Sequence, residues 1–429
     1  MPYIGKSPSQ GVRNRYYYTV SAGATSVSGN DDNSNSLVFT DGEYVDVYLN
    51  GVSLVAGTDY NTTTANTIAG LSAMSANDVV EVTVYDVFSV FSGNINSDFS
   101  IGGALAVSGD YSSTTLGSSN LRLGVNAGNS IASGGNYNTV IGDEAGTALT
   151  TGDENTFIGY TSGDAITTAV KNVAVGYAAL SADTLGNANV AIGHDALKVQ
   201  NFTTATNVYN TAVGFAAGES ITTGDSNTLI GGLAGDALNT GNSNVAMGLQ
   251  ALTADTKGDR AVAIGLASLA AQNFTTSTDS YNVAVGFSSG NAITTGINNT
   301  FVGGESGDKI TDADNNTAVG TYALFGDTMG SKSTAVGYGA LLAQNFSTAT
   351  DSHNTAVGNY AGAAISTGTG NTILGSNAGD ALTDADNNTA MGKNALGADT
   401  LGSLSTAVGY QALLSQNFTT ATDSYNAAF

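Results

Sequence analysis

Between Gly124 and Gly409 the chain repeats one short phrase seventeen times: an Asn or small residue, then Thr or Val, a small residue, an aliphatic, and Gly. The phrase reads Asn138-Thr139-Val140-Ile141-Gly142 early, Asn210-Thr211-Ala212-Val213-Gly214 in the middle and Asn388-Thr389-Ala390-Met391-Gly392 late. After a first gap of eighteen, its glycines fall in a fixed rhythm, three steps of seventeen and one of twenty-one, as in Gly142, Gly159, Gly176, Gly193 and Gly214, which closes a 72-residue cycle. A fixed period of this kind means stacked units, each too small to bury its own apolar face.

Alternation along a strand puts the residue before the Gly and the residue two earlier on one face, and the intervening residue, mostly Ala, on the other. Both faces are compact and apolar, which suits a coil that fills its own lumen with one face and meets a neighbour with the other. The Gly ends the strand and turns the chain where other residues would strain. By this reading Val285 and Val319 face the interior, and Asp at either is expected to break the rod locally.

Asn opens fourteen of the seventeen phrases, and the exceptions Ala261, Ser333 and Ser405 each lie one full cycle from the next. Two readings stand side by side: a coil-to-coil ladder of Asn side chains, or a plain turn former. The residue four after Gly runs as two Gly and then two Leu (Gly146, Gly163, Leu180, Leu197), so two narrow coils alternate with two wide ones. The Ala position swells at Phe157, Leu229, Phe301 and Ile373, always in the second narrow coil, where the large residue fills the room of the missing Leu.

Fifty-six Gly, two Pro, no Cys, no Trp and 11% charged residues exclude a helical protein and a disulfide scaffold, and argue all-β. The net charge of −24 disfavours nucleic acid, which needs clustered Lys and Arg, and suits a long soluble particle. No apolar stretch approaches the ~20 residues that span a bilayer, so no membrane insertion is expected. Met1-Pro2-Tyr3-Ile4-Gly5-Lys6 lacks the apolar centre of a secretory signal. Lys6, Arg13 and Arg15 form the one basic patch, either a dock for an acidic partner or a solvated arm.

The first part of the chain lacks the Gly clock. Tyr16–Val20 and Val45–Leu49 are strand candidates, Asn50-Gly51 is a strong hairpin signal, and Val52–Leu54 would return. Val79–Tyr85 is the longest β-branched run, with Val80, Val82 and Val84 on one face. The expected organisation is an arm (1–14), a small antiparallel β-sandwich (15–90), an extended connector (91–119) and a β-solenoid of parallel β-roll coils (120–429). Seventeen coils at ~4.8 Å give a segment of roughly 80 Å.

Thr334-Ala335-Val336-Gly337-Tyr338-Gly339-Ala340-Leu341 and its twin at 406–413 resemble the left-handed β-roll repeats of trimeric adhesin heads and similar repeats of phage tail fibres, over most of the chain beyond the first part. The 17-residue coil is longer than that of adhesin heads. Val45–Val52 with Asn77–Val82 resembles the first domain of tail fibres of marine and cyanobacterial phages. The resemblance implies a homotrimer in a virion, assembled in the host cytoplasm. Residues 1–90 would be held by a tail or adaptor protein, and the shaft would reach for a host surface glycan or protein. A tailspike-like glycan depolymerase and a bacterial trimeric surface adhesin are the alternatives.

Chemistry is sparse, and no enzyme, cofactor or metal is expected. His194 and His353 occupy different places in their repeats, so no recurrent Ser/His/Asp arrangement forms. Asp143-Glu144 and Asp153-Glu154 read as solvated turns, though an acid pair for glycoside cleavage could be assembled across coils or protomers. Asp312/Asp314 and Asp384/Asp386 offer oxygen ligands of the kind calcium takes, but Thr240-Gly241-Asn242 skips the cycle, which favours polar turns. The 21-residue coils carry Gln-Asn-Phe motifs, and the candidate receptor or packing loops are Phe202, Tyr209, Phe274, Tyr281, Phe346, His353, Phe418 and Tyr425. The next long step places a turn Gly at position 430, just past Phe429, so the repeat is expected to continue. By resemblance, more coils, a receptor-binding tip and an endosialidase-type chaperone would follow.

Overall fold

A computed structural model describes residues 13–39, 41–85 and 117–429, in two compact units that divide near Ala106. The expected connector lies largely outside the described residues.

The first unit holds β1 (Arg13–Thr19), β2 (Val27–Ser28), β3 (Val45–Leu49), β4 (Val52–Ser53), β5 (Thr67–Ile68) and β6 (Val79–Tyr85). Four of them form an antiparallel sheet ordered β1-β6-β3-β4, and β2 pairs with β5 as a separate ribbon. The β3–β4 hairpin turns through Asn50 and Gly51 at φ of 50° and 82°, the mirror-image turn this dipeptide favours. Period-2 patterning decides its core: Val80, Val82 and Val84 are buried with Val45 and Val47, joined by Tyr16, Tyr18, Tyr60 and Ile68.

The second unit is a parallel β-solenoid. Eighteen short strands form one continuous ladder from Leu121–Leu123 to Ala427–Ala428, each in register with the same residues of the next coil, as Thr211↔Thr228, Ala212↔Leu229 and Val213↔Ile230. From Thr139–Ile141 to Thr406–Val408 the centre residue of each ladder strand is buried while its neighbours are partly or largely exposed. This corrects the reading of Val285 and Val319, which stand partly exposed on the outer face; the interior face is the Ala row. A coil this short encloses little space, so the smaller face turns inward.

Large lumen residues sit where the narrow coils leave room. A Cβ on Gly146 or Gly163 would lie 2.9 or 2.7 Å from the Phe157 ring, and on Gly290 or Gly307 it would lie 2.7 or 2.6 Å from Phe301. The clock glycines are required twice over. Their φ values run from 128° to 144°. From Gly124 to Gly392 an added Cβ would also come within 2.2–2.7 Å of the carbonyl oxygen of the next clock glycine.

The Asn ladder exists, and it is buried. The backbone N–H of Asn155 donates to Asn138 Oδ1 (2.9 Å), that of Asn172 to Asn155 Oδ1 (3.0 Å) and that of Asn227 to Asn210 Oδ1 (2.9 Å). Every ladder amide nitrogen except that of Asn189, which donates back to Asn172 Oδ1 (3.1 Å), crosses its own coil to a carbonyl further along the chain, as Asn138 Nδ2 to Gly152 O (2.9 Å) and Asn227 Nδ2 to Gly241 O (2.9 Å). Stacking therefore satisfies the polar groups that burial in a narrow coil would otherwise strand.

Candidate functional site

Two features of the solenoid face outward. The first is an apolar stripe. The residues before and after each clock glycine point outward, and register stacks them in rows along the rod. Ile192, Ile230, Met247, Val302, Leu374 and Met391 of the first row are exposed, as are Tyr160, Tyr177, Phe215, Leu249, Leu266, Phe287, Tyr338 and Tyr410 of the second. Of the seventeen post-Gly residues only Asp143 and Lys393 carry a full charge, in a chain of net −24. Neighbouring rings stack from coil to coil, Tyr160 on Tyr177 (5.5 Å), Tyr177 on His194 (4.7 Å) and His194 on Phe215 (5.5 Å). Further along, Tyr338 meets Tyr322 and Tyr360 edge-on.

The second feature is the bulge that lengthens every fourth coil. A buried carboxylate holds each one: Asp183 accepts from Gln200 Nε2 (2.6 Å), Gly186 N (3.0 Å) and Phe202 N (3.1 Å). Asp255, Asp327 and Asp399 repeat this with Gln272, Gln344 and Gln416. The glutamine oxygen then accepts from the next ladder Asn, as Asn210 Nδ2 to Gln200 Oε1 (2.8 Å). Burial pushes the Asp255 carboxyl up, against hydrogen bonds from Gln272, Phe274 and Gly258 that pull it down.

The eight loop residues singled out in the sequence therefore separate into two sets. Phe202, Phe274 and Phe346 are buried against the coil, and Phe418 is partly covered. Tyr209, Tyr281, His353 and Tyr425 project into solvent. Tyr137 belongs with them, one cycle before Tyr209; it sits in the first, shorter gap and so carries no Gln-Asn-Phe signature. The bulge also brings pairs of short strands together, such as Thr278–Asp279 on Gly258–Asp259, and sets Arg260 against Asp279 and Lys332 Nζ against Asp351 Oδ2 (2.5 Å). Sequence patterning does not single out the buried aspartates, although they too recur once per cycle.

The remaining acidic candidates are used between coils. Asp314 Oδ1 accepts from Ile297 N (2.7 Å), Asp386 Oδ1 from Thr369 N (2.6 Å), Asp153 Oδ1 from Asn136 N (2.6 Å) and Glu144 Oε1 from Asn126 Nδ2 (2.8 Å). Among the described residues no group of three or more His, Cys, Asp or Glu is placed to hold a metal ion. His194 Nδ1 lies 3.0 Å from Asp195 Oδ2, next to it in sequence. No described helix is long and apolar enough to cross a membrane.

No family model, curated protein or solved structure matches this chain.

Proposed function

We propose that the chain is a structural and adhesive fibre of a phage virion. In this reading residues 1–90, with the four-stranded sheet and its ribbon as the layers of a small sandwich, attach to a tail or adaptor protein. The solenoid is the shaft of a homotrimer that meets a host surface glycan or protein. The observation that carries it is the apolar stripe: an exposed, nearly uncharged band on an otherwise acidic rod marks a contact surface. Its rows repeat at every coil, and another copy of this chain is a partner of matching pitch and length. Three copies about one axis is what the likeness to trimeric adhesin heads and tail fibres implies.

Sedimentation equilibrium should return about three times the 42.8 kDa of one chain, and a single-chain mass at every concentration tested would overturn the assembly. Antibody raised against the chain should decorate virion fibres. Decoration of a bacterial envelope instead would favour the surface adhesin.

A further inference from the structure

The residue just before each ladder position is held in the left-handed backbone region, and what the chain places there depends on the phase of the 72-residue cycle. In three of the four phases it varies among Glu154, Ser226, Asn298, Lys171, Ala188 and others. In the remaining phase it is aromatic in all five copies, Tyr137, Tyr209, Tyr281, His353 and Tyr425, at φ of 58°, 59°, 48°, 51° and 50°. Asn, Ser or Gly suits this conformation better than a bulky ring, so local backbone preference does not explain the choice. Packing does not explain it either, because the four tyrosines are 51–72% exposed while the nearby Phe202, Phe274 and Phe346 do the packing. An exposed ring kept repeatedly in a disfavoured conformation indicates a contact residue.

We propose that these rings are sugar-binding subsites, arrayed for neutral hexose units of a repeating surface polysaccharide. The inference rests on the adhesive reading above and names its ligand class. A pyranose presents a face of axial C–H groups that packs on an aromatic ring and a rim of hydroxyls that needs acceptors and donors. In the bulged copies an exposed Asn207, Asp279, Asp351 or Asp423 stands two residues before the ring. In the two central copies a cation joins it: Arg260 lies 5.7 Å from the Tyr281 ring centre and pairs with Asp279, and Lys332 pairs with Asp351 beside His353. Tyr281 Oη donates to Asp279 Oδ2 (3.2 Å), which fixes ring and carboxylate together.

The Asp–Gln–Asn clamp beneath each bulge, buried in the first three, holds the subsite in place before any ligand arrives, so little ordering accompanies binding. Four coils separate successive rings, about 19 Å at the strand spacing, so a polymer can engage several weak subsites at once. A net charge of −24 repels polyanions, hence the neutral sugar.

The test uses the full chain against immobilised dextran, mannan and galactan, with alginate as the anionic probe. Serine already occupies the same left-handed position at Ser226 and Ser243, so Tyr281→Ser and the combined Tyr209→Ser, Tyr281→Ser, His353→Ser, Tyr425→Ser variant should keep the fold. Retention on at least one neutral polymer is expected, several-fold weaker in the single variant and about 100-fold weaker in the combined one, with melting and sedimentation unchanged. The assignment is overturned by retention on none of the neutral polymers, by retention on alginate alone, by unchanged binding in the combined variant, or by loss of association in place of binding. Failure of virion labelling with sugar binding intact would remove the fibre reading and leave this one standing.

Discussion

Each ladder Asn joins neighbouring coils and all but Asn189 also brace their own, and the three positions where Asn is missing show how the chain compensates. Asn189 accepts from Asn210 N (3.3 Å), and the residue at 208 is Val. One cycle on, Ala261 cannot accept, and Asn282 N turns instead to Ser280 Oγ (3.4 Å). Ser333 and Ser405 bring Ser352 and Ser424, with Ser333 Oγ 2.5 Å from Ser352 Oγ and Ser405 bonded to Ser424. Asn189→Ala should therefore cost about 1–3 kcal/mol by leaving a buried N–H unpaired, and adding Val208→Ser should recover most of it. Chemical denaturation of the four proteins in this cycle measures the coupling; strict additivity would contradict the exchange.

Asp255 gives a pH dependence whose sign is fixed by burial. Its carboxyl is raised in the folded chain, so the folded state binds the proton more readily than the unfolded one. Its contribution to stability is complete below the unfolded value near ~4 and is lost as the pH rises through the folded value. Melting should therefore rise on acidification from pH ~7, by an increment missing from Asp255→Asn. Equal increments in both proteins would show that general charge neutralisation accounts for it.

At the scale of the coil, wide and narrow turns interlock by volume. Wide coils place Leu324 or Leu341 in the lumen beside Ala318 or Ala335; narrow ones place Gly290 or Gly307 beside Phe301. Phe301→Ala should cost about 3–5 kcal/mol through the cavity it leaves. Gly307→Leu should recover part of this loss, since Leu324 adopts the same backbone conformation (φ 54°) as Gly307 (φ 59°). Urea titration compares the two variants, and a double variant no more stable than the single would show that the coils do not exchange volume in this way.

For the whole molecule, the lumen is closed within each coil and the stripe faces outward; in the proposed assembly another chain covers it. A carboxylate on the stripe should hardly change the stability of one chain, within about 1 kcal/mol, but should obstruct association. Val285→Asp with Phe287→Asp is predicted to melt within a few degrees of the parent when both are compared as monomers at high dilution, and to sediment as a lighter species at concentrations where the parent assembles. An assembled variant would exclude this face as the contact.

The sequence by itself determined the period, the strand positions and the obligatory glycines, because strand alternation and turn conformation are local and each is repeated until chance is excluded. It also carried the β3–β4 hairpin and the buried face of β6, where Val80, Val82 and Val84 alternate with more polar neighbours. Which side of Thr211–Val213 turns inward was not legible, because both sides are apolar; lumen size decided it, admitting Ala212 and leaving Val213 outside. The division of the loop aromatics into packed Phe202 and exposed Tyr209 likewise needed the tertiary structure. So did the role of Asp183, whose partners Gln200 and Phe202 lie 17 and 19 residues away and meet it only when one coil stacks on the next.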